Sequence, residues 1–334
     1  MEVTDLRLVV GDASAVGEAR RVADTLARTV GLGDTDAGRM ALIVTEAATN
    51  MVKHGGGGEF LLRSVRGEGA GGLDMLALDR GPGIADMPAA LRDGFSSAGT
   101  PGNGLGAIAR VASIFDIYSR RGAGTALFAR VWAAPIPAAT NGISFGAINV
   151  PYPGETVSGD SWAVSGGGNR LVVMVADGLG HGPGANQAAQ AAAATFQARA
   201  VDSPAAILGH IHQALRPTRG AAVALAEIDR ERRLVHFAGL GNIAGTIIAD
   251  GTMRSVVSHH GTVGHDARRI QEFTYPWPAG ASLVLHSDGL TSRWTLDAYP
   301  GLLERHPMLI AALLYRDFRR GRDDATVLVL REVV

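Results

Sequence analysis

The feature that most constrains this chain is the segment AAPIPAATNG, which begins at Ala133. Its two prolines and small polar residues are typical of a linker between folded domains. The sequence before it alternates helical patterns with strands, whereas the sequence after it consists mainly of short strands bounded by turns. A chain of 334 residues is long enough for two hydrophobic cores. We therefore predict two domains, residues 1–133 and 142–334, joined by a linker at 134–141.

Composition and charge exclude several classes of function. The formal net charge is −1, so no basic field attracts nucleic acid or anionic lipid. The chain has no cysteine, which excludes disulfides, thiolate metal sites and cysteine nucleophiles. Its amino terminus, MEVTDLRLVV, lacks a secretion signal, and no apolar run is long enough to span a membrane. We expect a soluble cytoplasmic protein with no nucleic-acid or membrane partner.

The hydrophobic patterns predict an α+β chain. In the first half they indicate helices at 14–31, 36–54 and about 106–112, and strands at 59–65, 73–79, SIFDIYSR and TALFARVW. The second half predicts eight short strands, with helices at about 183–200, 204–215 and 302–315. This order of short strands and helices is typical of antiparallel sheets with helices packed on the outside.

The second helix carries a polar stripe. At 100° per residue, Glu46, Asn50 and Lys53 share one narrow stripe. A separate apolar stripe consists of Met40, Val44, Ala47 and Met51. The helix is therefore predicted to pack one face and present the polar triad on another, although a merely solvated face is an alternative. The following GGGG either gives a flexible exit from the helix or lets its end approach a ligand.

Two glycine-rich turns in the first half carry groups that could bind a ligand. LALDRGPGI ends a strand with Asp79, whose carboxylate suits an exocyclic amine such as that of adenine. TPGNGLGAIARV places three glycines ahead of a helix, where free N–H groups and the helix dipole favour an anion. Each motif alone usually marks only a turn. Their order along the chain favours a nucleotide site.

Residues 1 to about 132 resemble the GHKL ATP-binding (Bergerat) fold, and within it the compact RsbT-like switch kinases of bacterial stress and sporulation signalling. EAATN is similar to the family's N box, DRGPGIAD to its first glycine box and GNGLGAIARV to its second. The resemblance implies an α/β sandwich that binds ATP with Mg and transfers phosphate to serine or threonine.

The same resemblance implies roles for single residues. Glu46 would be the general base that receives the proton of the attacking hydroxyl. Asn50 would coordinate Mg through the triphosphate, Asp79 would hold adenine, and Thr125 would support the adenine site through water. The other residues assigned to the nucleotide are Lys53, Gly81, Gly83, Gly102, Gly104, Leu105 and Gly106. His54 is expected to pack or solvate the rim of the pocket.

Acidic residues recur at strand ends in the second half. Asp160 lies in VSGDSW, Asp177 in VMVADGLGHG and Asp288 in VLHSDGL, whereas Asp323 and Asp324 lie in RDDATVLV. A sandwich would gather such residues at one edge, where they would repel each other unless hard divalent cations neutralised them. A single Asp-Gly after a strand is most often a turn, and IADGTMR is predicted to be only that.

Residues from about 141 to the end resemble the metal-dependent PPM serine/threonine phosphatases in their SpoIIE and RsbX form. In that form G-D, A-D-G-x-G-H-G, S-D-G and D-D-x-T occur in this order. The resemblance implies an α-β-β-α sandwich with a pair of Mn or Mg ions. The implied ligands are Asp160, Asp177, the Gly178 carbonyl, Asp288 and Asp323, with Asp324 beside them. A bridging water acidified by the ions would attack phosphorus directly.

The histidines of the second half receive structural roles. His181 belongs to the motif but is expected only to brace its loop. His259, His260 and His265 have metal-like spacing, yet they lie in a polar loop and are expected to be solvated. No arginine can be assigned to the substrate phosphate from the sequence.

Together the two resemblances cover nearly the whole chain and imply a bifunctional protein serine/threonine kinase and phosphatase. The expected substrate is a STAS-domain protein of the RsbS/RsbR or anti-anti-sigma type in a bacterial partner-switching pathway. A sigma-regulating or sensory protein is a further expected partner. Two alternatives stay open. The first domain could capture its partner without phosphorylating it, or it could only sense energy charge for the phosphatase.

Overall fold

A computed structural model describes residues 4–67, 70–92, 104–134, 142–267 and 269–333. The chain divides into two compact units. One unit contains Asp5–Pro137 together with Pro300–Arg305, and the other contains Ala138–Tyr299 and His306–Val334. Almost all of the predicted linker lies outside the described residues, so its boundaries stay a prediction.

The first unit is a five-stranded antiparallel sheet in the order β1-β2-β3-β5-β4, with helices on one face. Its strands are β1 (Leu6–Val10), β2 (Gly58–Gly67), β3 (Ala70–Asp79), β4 (Ile114–Ser119) and β5 (Thr125–Trp132). Its helices are α1 (Ala13–Thr29), α2 (Asp34–Asn50), the single-turn α3 (Met87–Ala90) and α4 (Gly104–Val111). Asp12 caps α1 by accepting hydrogen bonds from the N–H groups of Ser14 and Ala15.

The core of this unit lies between α1, α2, α4 and the sheet. The predicted apolar stripe of α2, which consists of Met40, Val44, Ala47 and Met51, is buried there. Alanines of α1 at positions 19, 23 and 27 are buried as well, and their small size allows the two helices to pack closely. Glu46 and Asn50 of the polar triad are therefore held by a packed helix rather than by a loop.

The end of α2 differs from the predicted helix at 36–54. Regular α-helix ends at Asn50, and Met51–Gly55 form one turn of π-helix. Gly56 then adopts a left-handed conformation with φ of 70°, and the Gly57 N–H donates to the Met51 carbonyl at 3.1 Å. The glycine run is thus a left-handed helix exit, and the wider turn lies at a candidate site, where π-turns are frequent.

The second unit has two five-stranded antiparallel sheets, in the orders β13-β10-β9-β8-β7 and β12-β11-β14-β15-β6. Its first strands are β6 (Ile143–Val150), β7 (Asp160–Gly167), β8 (Arg170–Gly178), β9 (Ala221–Asp229) and β10 (Leu234–Leu240). The others are β11 (Ala244–Ala249), β12 (Thr252–Val256), β13 (Phe273–Pro276), β14 (Ser282–His286) and β15 (Ala325–Glu332). Its helices are α5 (Pro183–Arg199), α6 (Pro204–Ala214) and α7 (Pro307–Phe318).

These elements form the predicted α-β-β-α sandwich. One core lies between the two sheets, around Phe237 and Trp277. A second core lies between the first sheet and helices α5 and α6, and α7 packs on β6 and β15 of the other sheet. Both antiparallel sheets therefore bury their two faces, which explains the nearly continuous apolar runs of β8 and β9.

Two local predictions in the second half of the chain can be compared directly with the structure. The helix predicted at 302–315 is divided into a 3-10 turn at Leu302–Glu304 and α7, because Pro307 occupies the first turn and the His306 side chain caps it. The turn predicted at Asp250 is confirmed, since Asp250 and Gly251 have φ of 49° and 72° between β11 and β12. No described helix has the length and apolar character that crossing a membrane requires.

Candidate nucleotide and metal sites

The first unit contains a cavity of about 670 Å³ at the end of α2. That volume is within the roughly 300–1,000 Å³ typical of small-molecule sites. Eight residues that the sequence assigned to catalysis or to the nucleotide line it: Glu46, Asn50, Lys53, Asp79, Gly83, Gly104, Leu105 and Thr125. The fold thus brings the N-box helix and both glycine motifs to one cavity.

Asp79 is the last residue of β3 and is oriented by backbone donors. Its Oδ1 accepts a hydrogen bond from the Gly81 N–H at 2.8 Å and another from the Thr125 N–H at 3.2 Å. The carboxylate is therefore held in one orientation in the cavity wall. A carboxylate accepts hydrogen bonds only, so it suits the exocyclic amine of a base such as adenine.

Glycine is required around Asp79 because backbone segments approach closely there. A Cβ atom at Gly81 would lie 2.7 Å from the Cα of Gly55, and one at Gly55 would lie 2.9 Å from the Cβ of Asp79. At Gly124, where φ is 77°, a Cβ atom would lie 2.1 Å from the Asp79 carbonyl oxygen. The first glycine of the GGGG run thus allows the helix end to contact the candidate adenine site, in addition to the helix exit that Gly56 supplies.

The N-terminal end of α4 lies beside the polar triad. A Cβ atom at Gly104 would be 3.2 Å from Nδ2 of Asn50 and 3.5 Å from Oε2 of Glu46. Glu46 and Asn50 are one helical turn apart on α2, so both side chains reach the same backbone segment. Free N–H groups at such a helix end favour phosphate, and a carboxylate and an amide flank the position.

Two assigned residues in the described ranges do not line the cavity. The Gly81 N–H donates a hydrogen bond to Asp79, and Gly106 is buried inside α4. Gly102 lies outside the described residues. The individual roles of the nucleotide residues stay predictions.

Sequence reasoning missed Ser119, at the end of β4. Its hydroxyl donates to the Gly124 carbonyl at 3.1 Å, lies 2.9 Å from the Thr125 hydroxyl and accepts from the Ile84 N–H at 2.8 Å. Ile84 and Thr125 both line the cavity. Ser119 therefore ties two walls together, and nothing in the local pattern of β4 distinguishes it from an ordinary strand residue.

In the second unit the predicted acidic residues lie at one end of the sandwich. Asp160 and Asp177 are direct neighbours across β7 and β8. Asp288 follows β14, and Asp323 and Asp324 immediately precede β15, its antiparallel neighbour. The Ser287 hydroxyl joins the two sheets by donating to Oδ2 of Asp160 at 2.6 Å.

The electrostatics of this acidic cluster show its need for positive charge. Burial, and then the negative charge of Asp160 and Asp288, raises the pKa of Asp177 to about 10. Burial also raises the pKa of Asp160 to about 8, with a further contribution from the charge of Asp324. Among the described residues, no lysine or arginine forms an ion pair within 4.0 Å of Asp160, Asp177, Asp288, Asp323 or Asp324.

The donor set fits Mg or Mn by its chemistry and charge. All five side chains offer hard carboxylate oxygens, which these ions prefer, and Oδ2 of Asp324 is buried without a hydrogen-bond partner in the described part of the chain. Within the described ranges, however, no three acidic or histidine side chains already form a group spaced to hold an ion. The cluster is thus a set of suitable ligands rather than a preformed cage, and its ligand roles stay predictions.

The cluster predicts how stability depends on pH when metal is removed. Carboxyl groups with raised pKa values keep protons in the folded chain that the unfolded chain has lost, so folding stability falls as pH rises. The window extends from the ordinary value of 3.8 towards about 8 for Asp160. We therefore expect the melting temperature, measured in chelator, to fall by several degrees as the pH rises from 5.5 to 8. The unfolding transition to follow is the one whose melting temperature changes when Mn is added. The decrease in melting temperature should be smaller in Asp177→Asn. A melting temperature that rises over this pH range would contradict the prediction.

Several residues that the sequence left unassigned hold the acidic side chains. Asn242, after β10, donates from Nδ2 to Oδ2 of Asp288 at 2.8 Å. The Tyr152 N–H donates to Oδ1 of Asp324 at 2.8 Å. Ser287 has a signal in the sequence, since it immediately precedes Asp288 in the S-D-G motif, whereas the two other contacts depend on tertiary structure.

The histidines of this unit have structural contacts. His181 stacks on Tyr152 with ring centroids 4.2 Å apart, and its Nδ1 lies 3.0 Å from a carboxylate oxygen of Glu155. His260 is exposed, while the His265 Nε2–H donates to the Thr218 carbonyl at 3.1 Å. His259 is half-buried beside Phe273 rather than solvated.

The two folds and their sites define a class of protein, a fusion of a nucleotide-binding kinase-like unit with a metal-dependent phosphatase unit. Residues 9–131 match the histidine kinase-like ATPase domain family, and residues 167–332 match the family of stage II sporulation protein E, SpoIIE. The chain belongs to the histidine kinase-like ATPase family that includes the serine/threonine kinase RsbT, and it carries a SpoIIE-type phosphatase domain.

Two relatives from Bacillus subtilis (strain 168) carry this assignment. The serine/threonine-protein kinase RsbT is 34% identical over 114 residues, which are 34% of this chain and 86% of RsbT. The phosphoserine phosphatase RsbX is 25% identical over 138 residues, which are 41% of this chain and 69% of RsbX. This homology confirms the expected family and supports both kinase and phosphatase activity.

Solved structures give the same fold for the second unit. A chain from work on the bacterial stressosome is 27% identical, covers 57% of this chain and 99% of its own length, and has a TM-score of 0.54. RsbX in complex with magnesium is 22% identical, covers 57% of this chain and 95% of its own length, and has a TM-score of 0.51. The predicted fold class is confirmed.

Proposed function

We propose that this chain sets the phosphorylation state of one serine or threonine on a STAS-domain partner, with the first unit adding the phosphate and the second removing it. The observation that supports the proposal best is the presence, on one chain, of a cavity that joins Glu46 and Asn50 to a helix N-terminus and of an unneutralised acidic cluster in a phosphatase fold. The relatives RsbT and RsbX are named as enzymes of these two opposed types.

The kinase chemistry follows from the cavity. The N–H groups at the start of α4 would hold the phosphates, and Asp79 would hold the base. Asn50 would hold Mg, which supplies charge neutralisation on the phosphates when it is bound. Glu46 would accept the proton of the partner's hydroxyl as phosphate is transferred, because it is the carboxylate that lies beside Gly104.

The phosphatase chemistry follows from the acidic cluster. Mg or Mn bound there supplies an activated water and neutralises phosphoryl oxygens. The chain's own part is to hold the ligands. Ser287 positions Asp160, Asn242 positions Asp288, and the Tyr152 N–H positions Asp324.

Because the two units are fused, both sites can act efficiently on the same partner. A partner released by one site remains near the other at an effective concentration of about a millimolar for a short linker. If both activities were unregulated, repeated phosphorylation and dephosphorylation would only consume ATP. A nucleotide-dependent or sensory input must therefore favour one activity at a time.

The proposal is tested with radiolabelled ATP and purified STAS partners. The full chain should transfer label to a serine or threonine of the partner and, with Mn present, release it again as phosphate. Label that never reaches the partner would support capture without phosphorylation or energy sensing, and it would contradict the kinase half of the proposal.

A substitution at Asn50 tests the metal role in the first unit. Asn50→Ala should abolish phosphate transfer and weaken ATP binding in Mg by about tenfold or more, because the amide is the assigned link between the ion and the triphosphate. Calorimetric titration with ATP, with and without Mg, measures the effect. Wild-type ATP affinity and turnover in Asn50→Ala would refute the assignment.

A further inference from the structure

Arg219 lies against the loop that carries the central phosphatase motif. Its guanidinium is next to Gly180 of that motif and to Gly184, the second residue of α5. A Cβ atom at Gly184 would lie 2.7 Å from Cζ, and one at Gly180 would lie 3.4 Å from Nη1. Arg219 is exposed and makes no ion pair or hydrogen bond through its side chain within the described residues. An arginine without a partner, so close to an acidic motif, is unusual because most arginines near carboxylates are paired.

The position of Arg219 is fixed by its own turn. The Gly220 N–H donates to the Thr218 hydroxyl at 3.0 Å, and the Gly220 carbonyl accepts from the Leu179 N–H at 3.0 Å. On the other side, the His265 Nε2–H donates to the Thr218 carbonyl at 3.1 Å. The turn is thus held between the motif loop and the loop that contains His265, which fixes the backbone of Arg219 beside the motif loop.

The acidic cluster also approaches this loop. A Cβ atom at Gly159, the neighbour of Asp160, would be 3.3 Å from the Gly180 carbonyl oxygen and 2.6 Å from Oδ2 of Asp324. Gly180 is therefore close to the Arg219 guanidinium and also to Gly159, which contacts the Asp324 carboxylate. Helix α5 begins nearby, and the Glu155 carboxylate lies beside its N-cap residue Gly182.

Within the described residues, the Arg219 guanidinium is therefore a positive charge without an ion pair. A phosphoryl group held at the ions carries the charge that would balance it. A guanidinium also matches phosphate geometry, because it can donate two parallel hydrogen bonds.

From this geometry we infer that Arg219 binds the phosphoryl group of the substrate in the phosphatase site. The inference rests on the proposed phosphatase function and names the cation that grips its substrate. His265 is then a positioning residue, because it holds the turn that carries Arg219.

The test compares Arg219→Met with Arg219→Lys and with Arg216→Met in the full chain with Mn. Methionine keeps the apolar stem and removes the charge, and Arg216 is an exposed arginine on the same turn. We expect Arg219→Met to lower kcat/KM by about 10- to 100-fold for the phosphorylated partner and for p-nitrophenyl phosphate. The inhibition constant of inorganic phosphate should rise in parallel, Arg219→Lys should recover part of the loss, and the Mn midpoint should stay unchanged.

The outcomes separate this inference from the proposed function. If the wild-type chain hydrolyses both substrates and Arg219→Met behaves like Arg216→Met, the inference is wrong and the proposed function stands. A loss confined to the phosphorylated partner would also overturn it, because Arg219 would then contact the partner protein and not the phosphate. A wild-type chain that hydrolyses neither substrate would overturn both.

Discussion

Asp177→Asn should lower phosphatase turnover by about 100-fold or more while ATP binding is unchanged. Asp177 faces Asp160 across β7 and β8, and burial together with four neighbouring carboxylates raises its pKa to about 10. A group in such surroundings is stable as an anion only when cations are bound, so we expect its carboxylate to be a ligand of the ions. Removing that charge leaves the ions underneutralised.

The measurement is hydrolysis of p-nitrophenyl phosphate and of a phosphorylated partner in Mn. Asp250→Asn is the matched control, because it makes the same change in an exposed Asp-Gly turn where asparagine tolerates positive φ. Full hydrolysis by Asp177→Asn, or by the wild-type chain in chelator, would contradict the two-metal account.

Glu46→Gln should lower phosphate transfer by about 100- to 10,000-fold and leave ATP affinity in Mg nearly unchanged. Glu46 lies beside Gly104 at the phosphate end of the cavity, whereas the base-binding carboxylate is Asp79. Glutamine keeps the shape of the side chain and cannot accept the proton. The same change at Glu18, exposed on α1, is the control.

Single-turnover transfer of labelled phosphate and calorimetric titration with ATP give the two quantities. Glu46→Gln with normal transfer would show that another group, or water, accepts the proton. A parallel loss of ATP affinity would place Glu46 in binding and not in proton transfer.

Periodic and motif-bearing parts of the chain could be predicted from sequence. The apolar stripe of α2 is buried as its spacing predicted. Apolar residues three and four positions apart lie on one face of a helix, and that face packs against the core. The acidic residues meet at one end of the sandwich because each ends or begins a strand, and neighbouring strands share that edge.

Other features depend on contacts that the local pattern does not contain. The π-turn after Asn50 brings Gly55 into close contact with Asp79, a residue 24 positions further along the chain. Strand β1 is an edge strand with mostly exposed side chains, so it lacks a strong alternation. Arg219 approaches Gly180 and Gly184 only because β9 pairs with β8, which no short motif records.

The central claim, that both units act on one residue of one partner, is tested most directly by mapping phosphorylation sites by mass spectrometry. A STAS partner is first incubated with ATP and Asp177→Asn, which retains only the kinase, and then with Glu46→Gln and Mn, which retains only the phosphatase. The account predicts that the first step phosphorylates one serine or threonine to completion and that the second removes phosphate from that same residue. Phosphate added to one residue and removed only from another residue or another protein would contradict it.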